Sequence, residues 1–129
     1  MMNNIKIFIS VIALLVLGVI ATIVFRSGSQ PIEPGKYDTF AQCLKDKGAV
    51  FYGAFWCSHC QAQKKLFGTS VKLLPYVECS TADGNTQTKI CADKKISGYP
   101  TWEFADQSRL TGEIALAKLA EKTSCELPK

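Results

Sequence analysis

Residues 49–60 read Ala49-Val50-Phe51-Tyr52-Gly53-Ala54-Phe55-Trp56-Cys57-Ser58-His59-Cys60. From Ala49 to Trp56 every residue is apolar, aromatic or small and none is charged, the composition of a short strand covered on both faces. Two cysteines then follow in C-x-x-C spacing, and Cys60, Lys64, Phe67, Val71 and Leu74 recur every three or four residues. That spacing predicts a helix with its apolar members toward a core, bent or broken at Gly68. A strand running into a helix at Cys57 places this cysteine where helix N–H groups lack partners and the macrodipole is positive, which favours its thiolate. The thiolate is the reactive form. Two intervening residues let the second sulfur close a small ring while only the first faces solvent, so Cys57 is the expected nucleophile and Cys60 the resolving thiol. His59, the chain's single histidine, is expected to donate a hydrogen bond or, when protonated, a positive charge to the Cys57 sulfur. A stabilised thiolate favours the reduced state and makes the pair more oxidising. The competing reading of His59 is an exposed side chain with no part in the chemistry.

The chain has 129 residues, room for one globular domain. Its N-terminus is expected to lie outside that domain. Residues 7–25 carry no charge and are flanked by Lys6 and Arg26, and a helix of that length crosses a hydrocarbon layer of roughly 30 Å. The run exceeds a usual signal-peptide core and no small-x-small signal directly follows it, so residues 1–26 are read as an uncleaved anchor. Lys6, the terminal amine and the short N-terminal side favour N-in, with the domain exported from the cytoplasm. A net charge of +4 is modest, and the lysines of the soluble part are scattered, which gives no basic stripe for nucleic acid. Six cysteines suit an exported chain that keeps disulfides.

Residues 27–36 read as a linker and residues 37–129 as the domain. Asp38 or Thr39 is expected to cap a helix that ends at Gly48. After the Ala49–Trp56 strand and the cysteine helix come a strand over 75–79, a turn over 80–84, a helix over 85–96, a strand over 101–105 and its hairpin partner over 109–111. A helix over 113–122 closes the chain. Trp102 and Phe104 alternate with Thr101 and Glu103 as strand faces do. The helix–strand alternation implies parallel strands joined by crossover helices, with the hairpin as an antiparallel edge.

The element order, Trp56-Cys57-x-x-Cys60 at a strand-to-helix junction and Gly98-Tyr99-Pro100-Thr101 before the hairpin resemble the thioredoxin superfamily. The resemblance covers about residues 36–125 and implies an α/β fold with a mixed sheet of about four strands flanked by helices. A closer likeness is carried by residues 51–68, by Tyr76-Val77-Glu78-Cys79-Ser80 and by Gly98-Tyr99-Pro100-Thr101-Trp102-Glu103. These resemble the thioredoxin-like domain fused to bacterial homologues of vitamin K epoxide reductase. There the membrane part oxidises the thioredoxin-like part, which passes the disulfide to exported substrates. The quinone-using four-helix region has no counterpart in these residues, so the resemblance implies a membrane-tethered thiol-disulfide oxidoreductase with a separate membrane oxidase or reductase as partner. Its substrates would be cysteine-containing exported proteins.

Residue by residue, the resemblance implies that Pro100 is the family's cis-proline facing the cysteine pair. With Tyr99 it would form the substrate-facing edge, and Trp56 would shield one side of the sulfur; the alternative is a trans proline that starts a strand. Many family members carry a buried acid six residues before the first cysteine, but Phe51 stands there. Glu78, on the next strand, is the expected substitute base for Cys60, weighed against an exposed charge on a short strand. Ser58 stands where disulfide-forming oxidases usually have proline, which leaves a reductase or isomerase, or a non-catalytic peptide-binding module, as alternatives. The resembling domains imply a bridge between Cys79 and Cys91, which would pin the intervening loop and contribute roughly 2 to 4 kcal/mol; a redox-active relay is the alternative. Cys43 and Cys125 either pair, tying the tail to the first helix, or stay as buried free thiols. A zinc site is disfavoured because Cys79 and Cys91 do not form a second short-spaced knuckle. No prosthetic group is expected, since the chemistry belongs to two sulfurs.

Overall fold

The computed structural model describes residues 2–26 and 35–129. The chain divides into two compact units, Met1–Glu33 and Pro34–Lys129. The expected linker lies outside the described residues except for Gly35 and Lys36.

In the first unit, α1 (Met2–Arg26) is a single helix. Its segment Asn3–Ile23 has a mean hydropathy of 2.6, long and apolar enough to cross a membrane or to serve as a signal sequence. Among its described side chains the apolar ones, including Phe8, Leu14 and Leu17, are exposed.

The second unit runs α2 (Asp38–Asp46), β1 (Val50–Gly53), α3 (Ser58–Lys65), a 3-10 segment (Gly68–Leu73), β2 (Tyr76–Glu78), α4 (Lys89–Asp93), β3 (Thr101–Glu103), β4 (Arg109–Thr111) and α5 (Leu116–Thr123). The sheet order is β2-β1-β3-β4. β1 pairs parallel with β2 and antiparallel with β3, and β3 pairs antiparallel with β4. A thioredoxin-like α/β fold with a four-stranded mixed sheet is therefore present. The hairpin adds the antiparallel side of the sheet, as expected: Trp102 sits opposite Phe51, so β3 lies inside the sheet beside β1, and β4 and β2 are its two edges.

Local chemistry explains the element boundaries. α2 stops at Gly48, whose φ of +76° is easy only for glycine. At the other end the cap position is Tyr37, not Asp38 or Thr39. Asp38 instead turns its carboxylate back, and Oδ2 accepts from the Gly35 amide at 2.8 Å. Gly68, with φ of +54°, splits the expected long helix into α3 and the 3-10 segment. The helix expected over 85–96 shrinks to α4. Gly84 takes a left-handed conformation, Thr81 binds the side chains of Asp83 and Thr86, and Ser80 pairs with Gln87 as an isolated bridge. These local bonds satisfy the loop without a helix.

The core is a stack of aromatic rings. Phe51 lies over Trp102 at 4.9 Å and Phe40 over Phe67 at 5.9 Å, joined through Phe67 and Trp102 at 6.4 Å. All four side chains are buried. The alternation read in β3 is only half right, because Thr101 and Glu103 are buried as well. Glu103 is covered from the other face, where Arg109 and Lys94 pair with it at 2.6 and 3.1 Å.

Candidate active site

β1 ends at Gly53, and Ala54, Phe55 and Trp56 make the turn into α3. Cys57 is the residue that caps this helix: its backbone is extended and its sulfur accepts a hydrogen bond from the Cys60 amide at 3.2 Å. Helix N-termini present such amides to any acceptor placed there. On its other side the Cys57 sulfur lies 3.7 Å from the carbonyl oxygen of Tyr99. Cys57 is 7% exposed and Cys60 not at all, and both are free thiols. Burial and then the contact with Cys57 push the Cys60 thiol up to about 12. The Ala54 amide and the Lys64 ammonium pull weakly the other way.

Gly53 makes this arrangement compact. A Cβ at that position would lie 2.9 Å from the Tyr76 ring and 3.1 Å from the Cys60 sulfur, so only glycine lets ring and sulfur close over the strand. Lys64, one helical turn after Cys60, sets its ammonium 3.5 Å above the Tyr76 ring. Burial and Glu78 hold the Tyr76 hydroxyl protonated well beyond its ordinary range.

The peptide bond between Tyr99 and Pro100 is cis, and Pro100 is fully buried. Trp56 remains 56% exposed; its Nε1 donates to Ser80 Oγ at 2.9 Å, and its ring meets that of Tyr99 edge-on at 6.0 Å. Trp56 directly precedes Cys57, and Tyr99, whose carbonyl lies against the Cys57 sulfur, is joined to Pro100 by the cis bond. Two others do not sit where they were expected. Among the described residues His59 makes no hydrogen bond to Cys57; its Nδ1 lies 2.6 Å from Glu113 Oε1, both side chains being well exposed. Glu78 makes none to Cys60. Its Oε1 accepts from the amides of Phe55 and Ser80 at 3.2 and 2.9 Å, and its Oε2 from the Tyr76 hydroxyl at 2.8 Å. The parallel pairing that sets Glu78 opposite Gly53 carries the carboxylate to the turn before Cys57 rather than beneath Cys60.

Gln63, which the sequence did not single out, is fully buried on the cysteine helix. Its Nε2 donates to Ile114 O at 3.0 Å and its Oε1 accepts from Ile114 N at 2.6 Å, fixing the segment that brings Glu113 to His59. A polar residue three after Cys60, on the same helical face, was the available signal. The other cysteines are joined as Cys43–Cys125 and Cys79–Cys91. No group of three or more His, Cys, Asp or Glu side chains fit to hold a metal occurs among the described residues.

Known proteins resemble this chain in sequence. Thiol-disulfide oxidoreductase LTO1 of Arabidopsis thaliana is 50% identical over 91 residues, which cover 67% of this chain and 24% of that protein. A Schistosoma mansoni protein described as "Probable protein disulfide-isomerase ER-60" is 31% identical over 97 residues, 70% of this chain and 20% of its own length. The chain thus spans about a quarter or less of these relatives. The thioredoxin family matches residues 31–124, and with a four-stranded mixed sheet, a helix capped by Cys57 and a cis-proline beside it, the chain belongs to that family.

Proposed function

We propose that the chain is a thiol-disulfide oxidoreductase that promotes disulfide formation in exported proteins, anchored in the cell membrane by residues 7–25 with the domain extracytoplasmic. The observation that carries this reading is the pair of unbridged thiols at the start of α3, in a chain whose four other cysteines are paired. In the oxidised protein a substrate thiolate attacks the Cys57 sulfur of the Cys57–Cys60 disulfide. Cys60 leaves with the bonding electrons and takes a proton. A second substrate thiolate then attacks the substrate sulfur of the mixed disulfide and releases Cys57 as thiolate. The substrate loses two electrons and the pair gains them. Run backwards, the same steps reduce a substrate.

Cys60, fully buried and with its thiol pushed up to about 12, is held protonated once it has left, which keeps it from attacking the mixed disulfide in reverse. Trp56, Tyr99 and Pro100 form the substrate-facing edge, and His59, two residues after Cys57, pairs with Glu113. Reoxidation falls to a membrane oxidase resembling vitamin K epoxide reductase, a reading supported by the three separated motifs quoted above. Reductase or isomerase action uses the same residues, and the relative named as a disulfide isomerase favours keeping it as the second reading.

Turnover of reduced, unfolded ribonuclease tests the function. Cys57→Ser and Cys60→Ser should each abolish it, since neither variant can carry the disulfide, and Cys60→Ser should trap a mixed disulfide when the Cys57 thiolate attacks disulfide-bonded, scrambled ribonuclease; a peptide-binding module would lose nothing in either variant. The reduction potential of the pair against the glutathione couple tests direction: a more oxidising pair supports the proposal, and a more reducing one transfers it to the reductase reading.

A further inference from the structure

We infer that Ser80 and Gln87 are positioning residues for substrate polypeptides, holding Trp56 and Tyr99 in place beside Cys57 from a loop that the Cys79–Cys91 disulfide closes. The inference rests on the exchange chemistry proposed above. Two rings flank the reactive sulfur, one directly before it in sequence and one whose carbonyl lies against it. Both are tied to the same loop. Trp56 Nε1 donates to Ser80 Oγ at 2.9 Å, and Gln87 Nε2 donates to the Tyr99 hydroxyl at 2.7 Å and to Ile96 O at 2.7 Å. Ser80 and Gln87 face each other as an antiparallel bridge, with Thr81 N donating to Thr86 O at 3.0 Å inside it. Trp56 and Tyr99 meet edge-on at 6.0 Å. The four residues thus form a closed circuit around one side of Cys57.

The loop is fixed at its base, and its tip lies beside two exposed rings. At the base, Cys79 is bonded to Cys91, its amide donates to Gly53 O at 2.8 Å, and its carbonyl accepts from Thr88 N at 2.8 Å. At the tip, a Cβ on Gly84 would stand 3.7 Å from both the Phe55 and the Trp56 rings, ordinary contact distance. Trp56 and Phe55 are 56% and 46% exposed, so packing alone does not set their rotamers. Rings held before a substrate arrives cost less ordering when it binds. The circuit therefore serves recognition of a long chain and leaves the sulfur chemistry alone: neither Ser80 nor Gln87 hydrogen-bonds either thiol among the described residues.

The test compares Ser80→Ala, Gln87→Ala and Ser80→Thr in the full-length chain, with circular dichroism to confirm folding. Gln87 is exposed, so its variant tests the idea even if the Ser80→Ala chain misfolds. The expected result is a KM for reduced, unfolded ribonuclease raised about three- to tenfold in the alanine variants, with kcat, the rate with glutathione and the equilibrium constant for exchange between the Cys57–Cys60 pair and glutathione within about twofold of wild type. Ser80→Thr, which keeps the hydroxyl, should restore the KM. An unchanged KM in Gln87→Ala, or equal losses with ribonuclease and glutathione, overturns the inference while the exchange function stands. Failure of the wild type to turn over either substrate sinks the proposed function itself.

Discussion

Cys60 is fully buried beside Cys57, which is itself 7% exposed. With none of its surface exposed and its thiol pushed up to about 12 by burial and by Cys57, it should resist iodoacetamide at neutral pH while Cys57 is labelled, as peptide mass mapping of the reduced protein would show. The same shift has a thermodynamic sign. A thiol whose folded value is raised stabilises the folded protein fully below its ordinary value near 9 and loses that contribution as pH climbs toward 12. Reduced protein should therefore lose denaturant resistance between pH 8 and about pH 11 more steeply than oxidised protein, where the sulfur is bonded and does not titrate; equal slopes would contradict the shift. Glu78 invites a sharper substitution. In Glu78→Gln the side-chain oxygen still serves the amides of Phe55 and Ser80, and the Tyr76 hydroxyl can turn to accept. The expected outcome is an unshifted pH profile of the resolution step, because the carboxylate braces the turn before Cys57. A displaced profile would make Glu78 the proton acceptor after all. C-x-x-C spacing made the two thiols legible, whereas the partners of His59 and Glu78 were not, since Glu113 lies 54 residues from one and Phe55 lies 23 from the other.

Among the elements, the two bridges do unequal work. Cys43–Cys125 closes 82 residues and ties α2 to the tail beyond α5, whereas Cys79–Cys91 closes 12 and shapes one loop. By chain entropy alone these loops are worth about 4.5 and about 3 kcal/mol. Cys43→Ser/Cys125→Ser should accordingly lower the urea midpoint more than Cys79→Ser/Cys91→Ser, while the latter pair should raise the KM for polypeptide substrates. The reverse order in stability would show that unfolded-state structure outweighs loop length. Local spacing announced α2, α3 and α5 through their three-and-four pattern, and glycine announced where α2 stops. The same reasoning overextended α4, because side-chain bonds among Thr81, Asp83 and Thr86 compete for the loop in a way that apolar periodicity does not register.

At the scale of the molecule, the domain is held by its aromatic stack and by one covered charge cluster. Trp102→Ala should cost about 3 to 5 kcal/mol, since the indole contacts both Phe51 and Phe67. Burial of Glu103 opposes its ionisation, but Arg109 and Lys94 outweigh that and hold its carboxyl below the ordinary range. A depressed carboxyl contributes stability above its unfolded value and loses it as pH falls through the folded one. Wild type should lose stability on acidification below about pH 4 more steeply than Glu103→Gln, measured as urea midpoints; parallel curves would remove the cluster from the acid response. For the helix at the other end, full-length chain should resist carbonate extraction from membranes, and a chain lacking residues 1–34 should not.

Taken by itself, the sequence determined what adjacent residues decide: a strand entering a helix at a cysteine pair, a long apolar helix, and the turns that glycine permits. These depend on backbone sterics and on spacings of a few residues. Only the tertiary structure decided which four cysteines are bonded, that β3 is central, that Glu78 braces a turn, and that Ser80 and Gln87 reach the two rings beside Cys57. Those outcomes depend on contacts between residues far apart in the chain, whose geometry exists only once the sheet has assembled and each buried polar group has had to find its partner.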